Sequence, residues 1–356
     1  MSNLNILVIN PGSTSTKIAL FKNEEEILTK NLSHSSEDLA KYEKITEEYP
    51  FREEIILDAL KEIDFDPKNL SAVVGRGGLL RPIPSGTFKV NEEMIKDLKE
   101  GIRGEHASNL GGILAFEIAK IADCPSFIVD PVVVDEMEEI ARLSGNPNIP
   151  RLSIFHALNQ KSVARKAAAD LGKSLNEVNL IIAHMGGGIS IGIHSKGSVI
   201  DVNNALDGEG PFTPERSGGL PSGGLAKLCF SGKYSEKEIK SQIKGQGGLV
   251  AYLGTNDARK VEEMIEAGDE KAKLVYKAMA YQVSKEIGLL ATVVKGQVDG
   301  IVLSGGLAYG KSFTDMITER VSWIANVMIY PGEKEMEPLR DGALRVLKGE
   351  EEAKEY

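Results

Sequence analysis

Asn10, Ser13, Ser15 and Lys17 fall within one eight-residue stretch, NPGSTSTK, between two runs of apolar residues. A turn built of glycine and hydroxyl residues can aim backbone N–H groups and hydroxyls at one point, which suits a phosphate or another oxyanion. A lysine leaving such a turn adds a point charge where phosphate oxygens would lie. A second stretch, HMGGGIS, sets Gly186, Gly187 and Gly188 directly after His184, and a third, GGLAYG, carries Gly305, Gly306 and Gly310. Taken singly, each is equally an ordinary hairpin turn, because hairpins also use Gly, Asn and Ser.

The elements that must hold these turns repeat. NILVINPGSTSTKIALF and NLIIAHMGGGISIGIHS share one plan, an apolar strand, a short Gly and hydroxyl loop, and a second apolar strand. The two copies lie about half the chain apart, the spacing a duplicated domain gives. Strands are expected over 5–9, 17–21, 72–74, 126–129, 179–184, 189–194 and 300–303. Amphipathic helices are expected over 92–103, with Met94, Ile95, Leu98 and Ile102 on one face, and over 110–121, 273–294, 315–324 and 338–348. Alternating strands and helices predict an α/β fold. The stretch 145–150, rich in Gly, Asn and Pro, reads as a domain linker.

At 356 residues the chain is long enough for two cores, since one core usually stops growing near ~250 residues. Apolar content of 42% with 26% charged residues is that of a globular protein, and no apolar run approaches the ~18 residues of a membrane span. Met1 to Asn5 leads straight into ILVI, without the basic start and apolar middle of a signal peptide. Cys124 and Cys229 stand far apart, so neither a disulfide framework nor a zinc signature is present. A cytoplasmic protein is expected. A formal charge of −10 argues against nucleic acid, which asks for a basic face, but focused Arg and Lys residues can still gather an anionic substrate.

The dinucleotide signature does not fit the repeat: neither of its glycine loops opens a helix within a βαβ unit, and GGGISIG and GGLAYG come close in composition only. Paired hairpin loops, by contrast, resemble those of the actin-like ATPase superfamily, which includes sugar kinases, heat-shock chaperone ATPases and acetate kinases. NPGSTSTK resembles the N-terminal signature of acetate and butyrate kinases, and DVNNALDGEGPFTPERSGGLP, from Asp201 to Pro221, is similar to the butyrate kinase form of their central motif. The similarity spans essentially the whole chain, and its length fits butyrate kinases, which are shorter than acetate kinases.

The resemblance implies a duplicated ribonuclease H-like fold of two domains with a cleft between them that closes on ligands. The expected division is 1–148 with 338–356, for the acyl substrate and first phosphate loop, and 149–337, for the nucleotide. It implies transfer of the γ-phosphoryl group of ATP, with Mg²⁺, to a short-chain carboxylic acid, in a homo-oligomer. A carboxylate is already ionised at neutral pH, so the chemistry needs no base and rests on positioning and charge neutralisation.

By the same resemblance Arg76, in VVGRGGLL, binds the carboxylate, and Arg216, in PERSGG, stabilises the transferring phosphoryl group. His156 and His184 donate to phosphoryl oxygens, and His106 in GEHASN is a further candidate. Asn10, Ser13, Ser15 and Lys17 form the first phosphate loop. Gly186, Gly187 and Gly188 cradle the β-phosphate, while Gly305, Gly306, Gly310, Asp257 and Arg259 frame the adenosine. Asp130, at the end of FIVD, is expected near Mg²⁺, with Asp135 as a rival that a helix cap would explain equally. Glu337 is the second metal-linked acid, with Glu333 and Glu335 close enough to be confused with it. Outside the motif, either arginine is equally a surface residue, and a histidine after an apolar run equally a core one.

Acetate kinases carry bulky branched residues after the carboxylate arginine, where this sequence has Gly77 and Gly78. Their absence is expected to open room for further methylenes, each worth about 0.8 kcal/mol, with Phe155 and Pro214 as pocket walls. The competing account is a tight turn. Butyrate or isobutyrate is therefore the expected acid, with acetate or propionate as the alternative. A nucleotide-switched ATPase of the chaperone type would be expected to carry a separate peptide-binding domain, and this sequence ends a few residues past the ATPase-like core.

Overall fold

A computed structural model describes residues 3–356. Met1 and Ser2, on which the signal-peptide expectation partly rests, lie outside the described residues. No helix among the described residues is long and apolar enough to cross a membrane. Contacts divide the chain into two units, one running to Asp135 and resuming at Lys334–Tyr356, the other Glu136–Glu333. The divisions thus fall at 135 and 333, rather than at the expected 148 and 337. The stretch 145–150 lies inside the second unit.

In the first unit β1 (Asn5–Pro11), β2 (Ser15–Lys22), β3 (Glu25–Ser33), β4 (Ala72–Gly75), β5 (Thr87–Lys89) and β6 (Ser126–Val129) form one sheet, ordered β3-β2-β1-β4-β6-β5. In the second, β7 (Asn179–Met185), β8 (Ile189–Ser195), β9 (Ser198–Val202), β10 (Gly300–Gly305) and β11 (Val327–Pro331) are ordered β11-β10-β7-β8-β9. Strand for strand, β3-β2-β1-β4-β6 matches β9-β8-β7-β10-β11. Directions match too: the hairpins β1–β2 and β7–β8 are antiparallel, and β1–β4–β6 and β7–β10–β11 are parallel. The duplication legible in the two strand–loop–strand stretches is a duplication of whole sheets.

Both sheets are covered on two faces, which is why their central strands read as continuous apolar runs rather than alternating ones. In β7, Ile181, Ala183 and Met185 pack on the side of helix Glu270–Val293, and Leu180 and Ile182 on the side of helix Ala157–Asp170. In the first unit helices Tyr49–Lys61 and Asn109–Ala122 share a core with Leu7, Ile9, Ile18 and Leu20, and helix Met336–Leu347 packs on β1, β4 and β6.

Several expected helices shift at their ends. The one expected to reach 103 is Glu92–Glu100, stopped by Gly101 in the left-handed region, and Ile102 is exposed. The strands β3, β5, β9 and β11 escape the sequence reading. β3 is an edge strand in which only Leu28, Lys30 and Leu32 are half-buried and the rest are exposed, and it follows a two-residue turn in which Asn23 takes a positive φ. The turn Gly305–Gly310, taken as a nucleotide-like composition only, does open a helix, Lys311–Val321, between the parallel strands β10 and β11, and with Lys311 and Ser312 it matches GxxxxGK[ST], which the sequence reading passed over.

Candidate functional site

In the first unit Pro11 pairs with Thr16, so residues 12–15 turn the chain between β1 and β2, with Gly12 N–H donating to Ser15 O at 2.7 Å. The turn rests on a residue the sequence reading passed over. Arg52, wholly buried on helix Tyr49–Lys61, donates to the carbonyls of Gly12 (2.8 Å), Ser13 (3.1 Å) and Ser15 (3.1 Å) and to the Thr16 hydroxyl (3.0 Å). Glu48 pairs with it at 2.6 Å. With its carbonyls drawn to a cation, the turn keeps N–H groups for its other side, which is how a backbone nest for an anion is made. Ser13 and Lys17 are exposed beside it.

Arg76 follows β4, and its guanidinium donates to Glu335 Oε1 (2.5 Å) and Asn10 Oδ1 (3.3 Å), while Asn10 Nδ2 donates to Glu335 Oε2 (2.5 Å). Its backbone is fixed by a close helix–strand approach: a Cβ on Gly75 would lie 1.9 Å from Gly111 O, and one on Gly111 2.1 Å from Arg76 O. Only glycine permits that contact. Asp130 directly follows β6, in the left-handed region at φ 39°; its Oδ1 accepts from Ser85 Oγ (2.6 Å) and Gly86 N–H (2.8 Å).

In the second unit Met185 pairs with Ile189, leaving Gly186–Gly188 as the turn. Around it stand His184, Arg216 and Glu333. His184 Nε2 lies 3.1 Å from Glu333 Oε1, and the His156 ring stacks on the His184 ring at 4.0 Å between centroids, 21° from parallel. A Cβ on Gly188 would sit 1.9 Å from the Arg216 guanidinium, so the glycine is what lets the arginine lie on the loop. Thr213 ties the two together, donating to Gly187 O at 2.6 Å and accepting from Arg216 N–H at 3.0 Å. Arg216 Nη1 donates to Ala205 O at 2.6 Å, but its buried Nε has no partner among the described residues. Burial lowers the guanidinium's pKa, with Glu215 opposing the shift. A buried N–H without an acceptor costs about 1–3 kcal/mol, and an anionic oxygen would satisfy it.

Beside this loop opens a cavity of about 650 Å³. Gly186, Gly187, Gly306, Gly310, Asp257 and Arg259 line it, six of the residues expected to meet nucleotide, together with Asn256, Glu262, Tyr276 and Tyr309. Gly188 and Gly305 adjoin it in sequence. That volume is in the range of small-molecule and cofactor sites.

The model of the acetokinase family matches residues 126–324. Over 351 residues, 99% of both chains, the sequence is 59% identical to butyrate kinase 2 of Clostridium acetobutylicum. The chain belongs to the acetokinase family. Among solved structures, acetate kinase from Porphyromonas gingivalis is similar at a TM-score of 0.75 and 20% identity, covering 97% of this chain and 100% of that one. A propionate kinase from Francisella tularensis reaches 0.74 at 20% identity, covering 95% and 98%. At that identity the likeness carries the fold, which is the duplicated ribonuclease H-like one.

Several expectations are corrected in this acetokinase-family chain. The missing side chains of Gly77 and Gly78 leave no room: a Cβ on Gly77 would be 2.5 Å from Pro131 Cβ, and one on Gly78 2.6 Å from the Asn109 Cα. Close packing, rather than acyl space, explains both glycines. Phe155 is 1% exposed and offers no wall to a ligand, and Pro214 lines the cavity beside Gly186. Glu337 pairs with Lys334 at 3.2 Å, whereas Glu335 reaches Asn10 and Arg76, and Glu333 reaches His184. Asp135 is no helix cap, since the next helix begins at Glu139 behind Glu138. His106 bonds Ser108 Oγ through Nδ1 at 2.8 Å. Among the described residues no three His, Cys, Asp or Glu side chains gather closely enough to hold a metal ion.

Proposed function

We propose that this chain is a short-chain fatty acid kinase. It transfers the γ-phosphoryl group of ATP reversibly to butyrate, or to a branched C4 acid such as isobutyrate, giving the acyl phosphate and ADP. The observation that carries this reading is the Gly186–Gly188 turn, with Arg216 and a stacked histidine pair against it beside a nucleotide-sized cavity, in a chain 59% identical to a butyrate kinase.

One carboxylate oxygen attacks the γ-phosphorus, and the bond to the β–γ bridging oxygen breaks. The electron pair leaves on ADP, and no proton is transferred. Catalysis is then the neutralisation of two approaching anions. Arg216, whose buried Nε lacks an acceptor, takes an equatorial oxygen of the transferring group; His184 and His156 supply further donors. Gly186–Gly188 holds the β-phosphate, Asp257, Arg259, Gly306 and Gly310 the adenosine, and Asn10, Ser13, Ser15 and Lys17 the γ-phosphate. Arg76 binds the acid's carboxylate once Glu335 releases it. Mg²⁺ enters as part of the MgATP substrate, keeping water and phosphate oxygens in its shell as this ion prefers; Asn10, Asp130 and Glu335 are the oxygen-bearing residues that would face it. The chain acts in the cytoplasm as a homo-oligomer.

Purified protein is assayed with MgATP, hydroxylamine and C2 to C5 acids. Acyl hydroxamate should form with the highest kcat/KM for a C4 acid. A higher value for acetate than for butyrate would overturn the acyl assignment, and ATP hydrolysis independent of any acid would overturn the kinase. Arg76→Ala should lower kcat/KM for the acid at least 100-fold while the nucleotide still binds; an unchanged value removes Arg76 from that role.

A further inference from the structure

The strand β8, ISIGIHS, turns Ile189, Ile191 and Ile193 to one face and Ser190, Gly192 and His194 to the other, yet every residue from Ile189 to His194 is buried. Its polar face lies under helix Ala157–Asp170. There the side chains form a chain of hydrogen bonds whose directions the chemistry fixes one after another. His194 Nε2 meets Gln160 Oε1 at 2.9 Å, and a carbonyl oxygen only accepts, so that ring nitrogen carries the proton. Burial holds the His194 pKa far below its ordinary value, keeping the ring neutral. The Gln160 amide is itself oriented by the Ser190 backbone carbonyl, which only accepts: Nε2 donates to it (3.0 Å) and to Ser190 Oγ (2.9 Å), leaving Oε1 for His194. Ser190 Oγ also accepts from the His156 backbone N–H at 3.3 Å. Both lone pairs of the hydroxyl are taken. Its one hydrogen is left for the remaining neighbour, His156 Nδ1, at 2.9 Å.

We propose that Gln160 and Ser190 are positioning residues that hold His156 as the Nε2–H tautomer, Nδ1 accepting from Ser190, so that Nε2 is always a donor. This deepens the kinase reading and rests on it. His184, stacked on His156, is held in the opposite sense: its Nδ1 faces Asn159 Oδ1 at 2.8 Å, and Asn159 Oδ1 also accepts from Ser304 Oγ at 2.8 Å. Nδ1 of His184 therefore carries a proton. Two stacked rings are thus held by different partners, His156 with Nδ1 accepting and His184 with Nδ1 donating, while His184 Nε2 faces the Glu333 carboxylate at 3.1 Å, which also only accepts. A phosphoryl oxygen accepts only, so a ring whose Nε2 cannot lose its proton to tautomerism meets it without any rearrangement during the reaction.

Protein labelled with 15N-histidine tests this directly, with the His156 signals assigned by their loss in His156→Asn. Wild type should show a bare Nδ1 and a protonated Nε2 for His156; a protonated Nδ1 overturns the proposal, whatever the enzyme's substrate is. In Ser190→Ala the ring is released, a protonated Nδ1 should appear, and kcat should fall about 10- to 100-fold with KM for ATP changed less than threefold. That loss is smaller than the ~10²–10³ of deleting a donor outright. Ser190→Thr, which keeps the hydroxyl, should restore both the spectrum and most of the rate. Gln160→Leu guards against misreading a folding defect, since it leaves Ser190 in place and should perturb the tautomer less than Ser190→Ala does. Wild-type kcat retained in Ser190→Ala, or a Thr variant as slow as Ala, overturns the assignment. A wild type inactive on every acid would overturn the kinase reading instead, and the spectrum would still decide the tautomer.

Discussion

The turn at 12–15 and the turn at Gly186–Gly188 join equivalent strands of equivalent sheets, yet they are held by opposite means. Under the first lies a buried cation, Arg52, that collects the backbone carbonyls of the turn. Around the second the cation is on the loop itself, as Arg216 against Gly188, with Thr213 fastening the loop, and with the nearby histidine pair held by Ser190 of β8 and Asn159 of helix Ala157–Asp170. The frame is the same in both copies, and the groups at the two turns differ: a buried arginine beneath the backbone in one, an arginine and two histidines at the turn in the other.

The sharpest way to break this comparison is to remove the charge that lies on the second loop. Arg216→Ala should lower kcat by about 10³–10⁵, the range of charge-clamping arginines in phosphoryl transfer, with KM for ATP little changed. A loss below tenfold in steady-state assays would make the second loop no more catalytic than the first. Removing the buried charge should act on folding instead. Arg52→Met leaves Glu48 buried without its partner and should cost about 3–5 kcal/mol in urea unfolding. A variant as stable as wild type would mean the first turn does not depend on the arginine beneath it.

Within the second loop the glycines should not be equivalent. Gly188→Ala drives a methyl into the Arg216 guanidinium and should lower kcat about 10- to 100-fold, whereas a Cβ on Gly187 meets nothing nearer than Glu215 Oε1 at 3.6 Å and Gly187→Ala should be close to neutral in kcat. Equal effects would mean that Arg216 does not lie on this loop in the working enzyme.

The smallest effect concerns His34, which holds the first hairpin through Thr16 Oγ1 at 2.8 Å. Burial, with Arg52 adding to it, pushes its pKa from 6.5 down to about 4. The folded state therefore refuses a proton that the unfolded chain accepts. Stability from this ring is complete above pH 6.5 and is lost as the pH falls toward 4. Urea midpoints measured across that window should fall less steeply in His34→Gln than in wild type; parallel slopes would show that His34 is not the titrating group.

Much of the frame was legible because central strands buried on two faces must be apolar throughout, and a hairpin between two such strands must be made of small polar residues. The pairs Asn10 with Lys17 and His184 with Ser190 follow from that pattern. The expected nucleotide residues Asp257, Arg259, Gly306 and Gly310 do meet at one cavity with the glycine loop, although the sequence holds them far apart. Reading β3 failed for the converse reason: an edge strand buries half a face, so its residues need not be apolar.

The sequence by itself determined two copies of a strand–turn–strand unit, an α/β fold, and a family whose chemistry needs arginines and donors in place of a general base. Tertiary structure decided which of three neighbouring acids reaches which partner, that Gly77 and Gly78 are filled space, and that an arginine 37 residues from Ser15 supports the first turn. Composition restricts what a strand can bury. Where a side chain on a turn points, and what lies beneath it, depends on elements tens or hundreds of residues away whose packing no local pattern records.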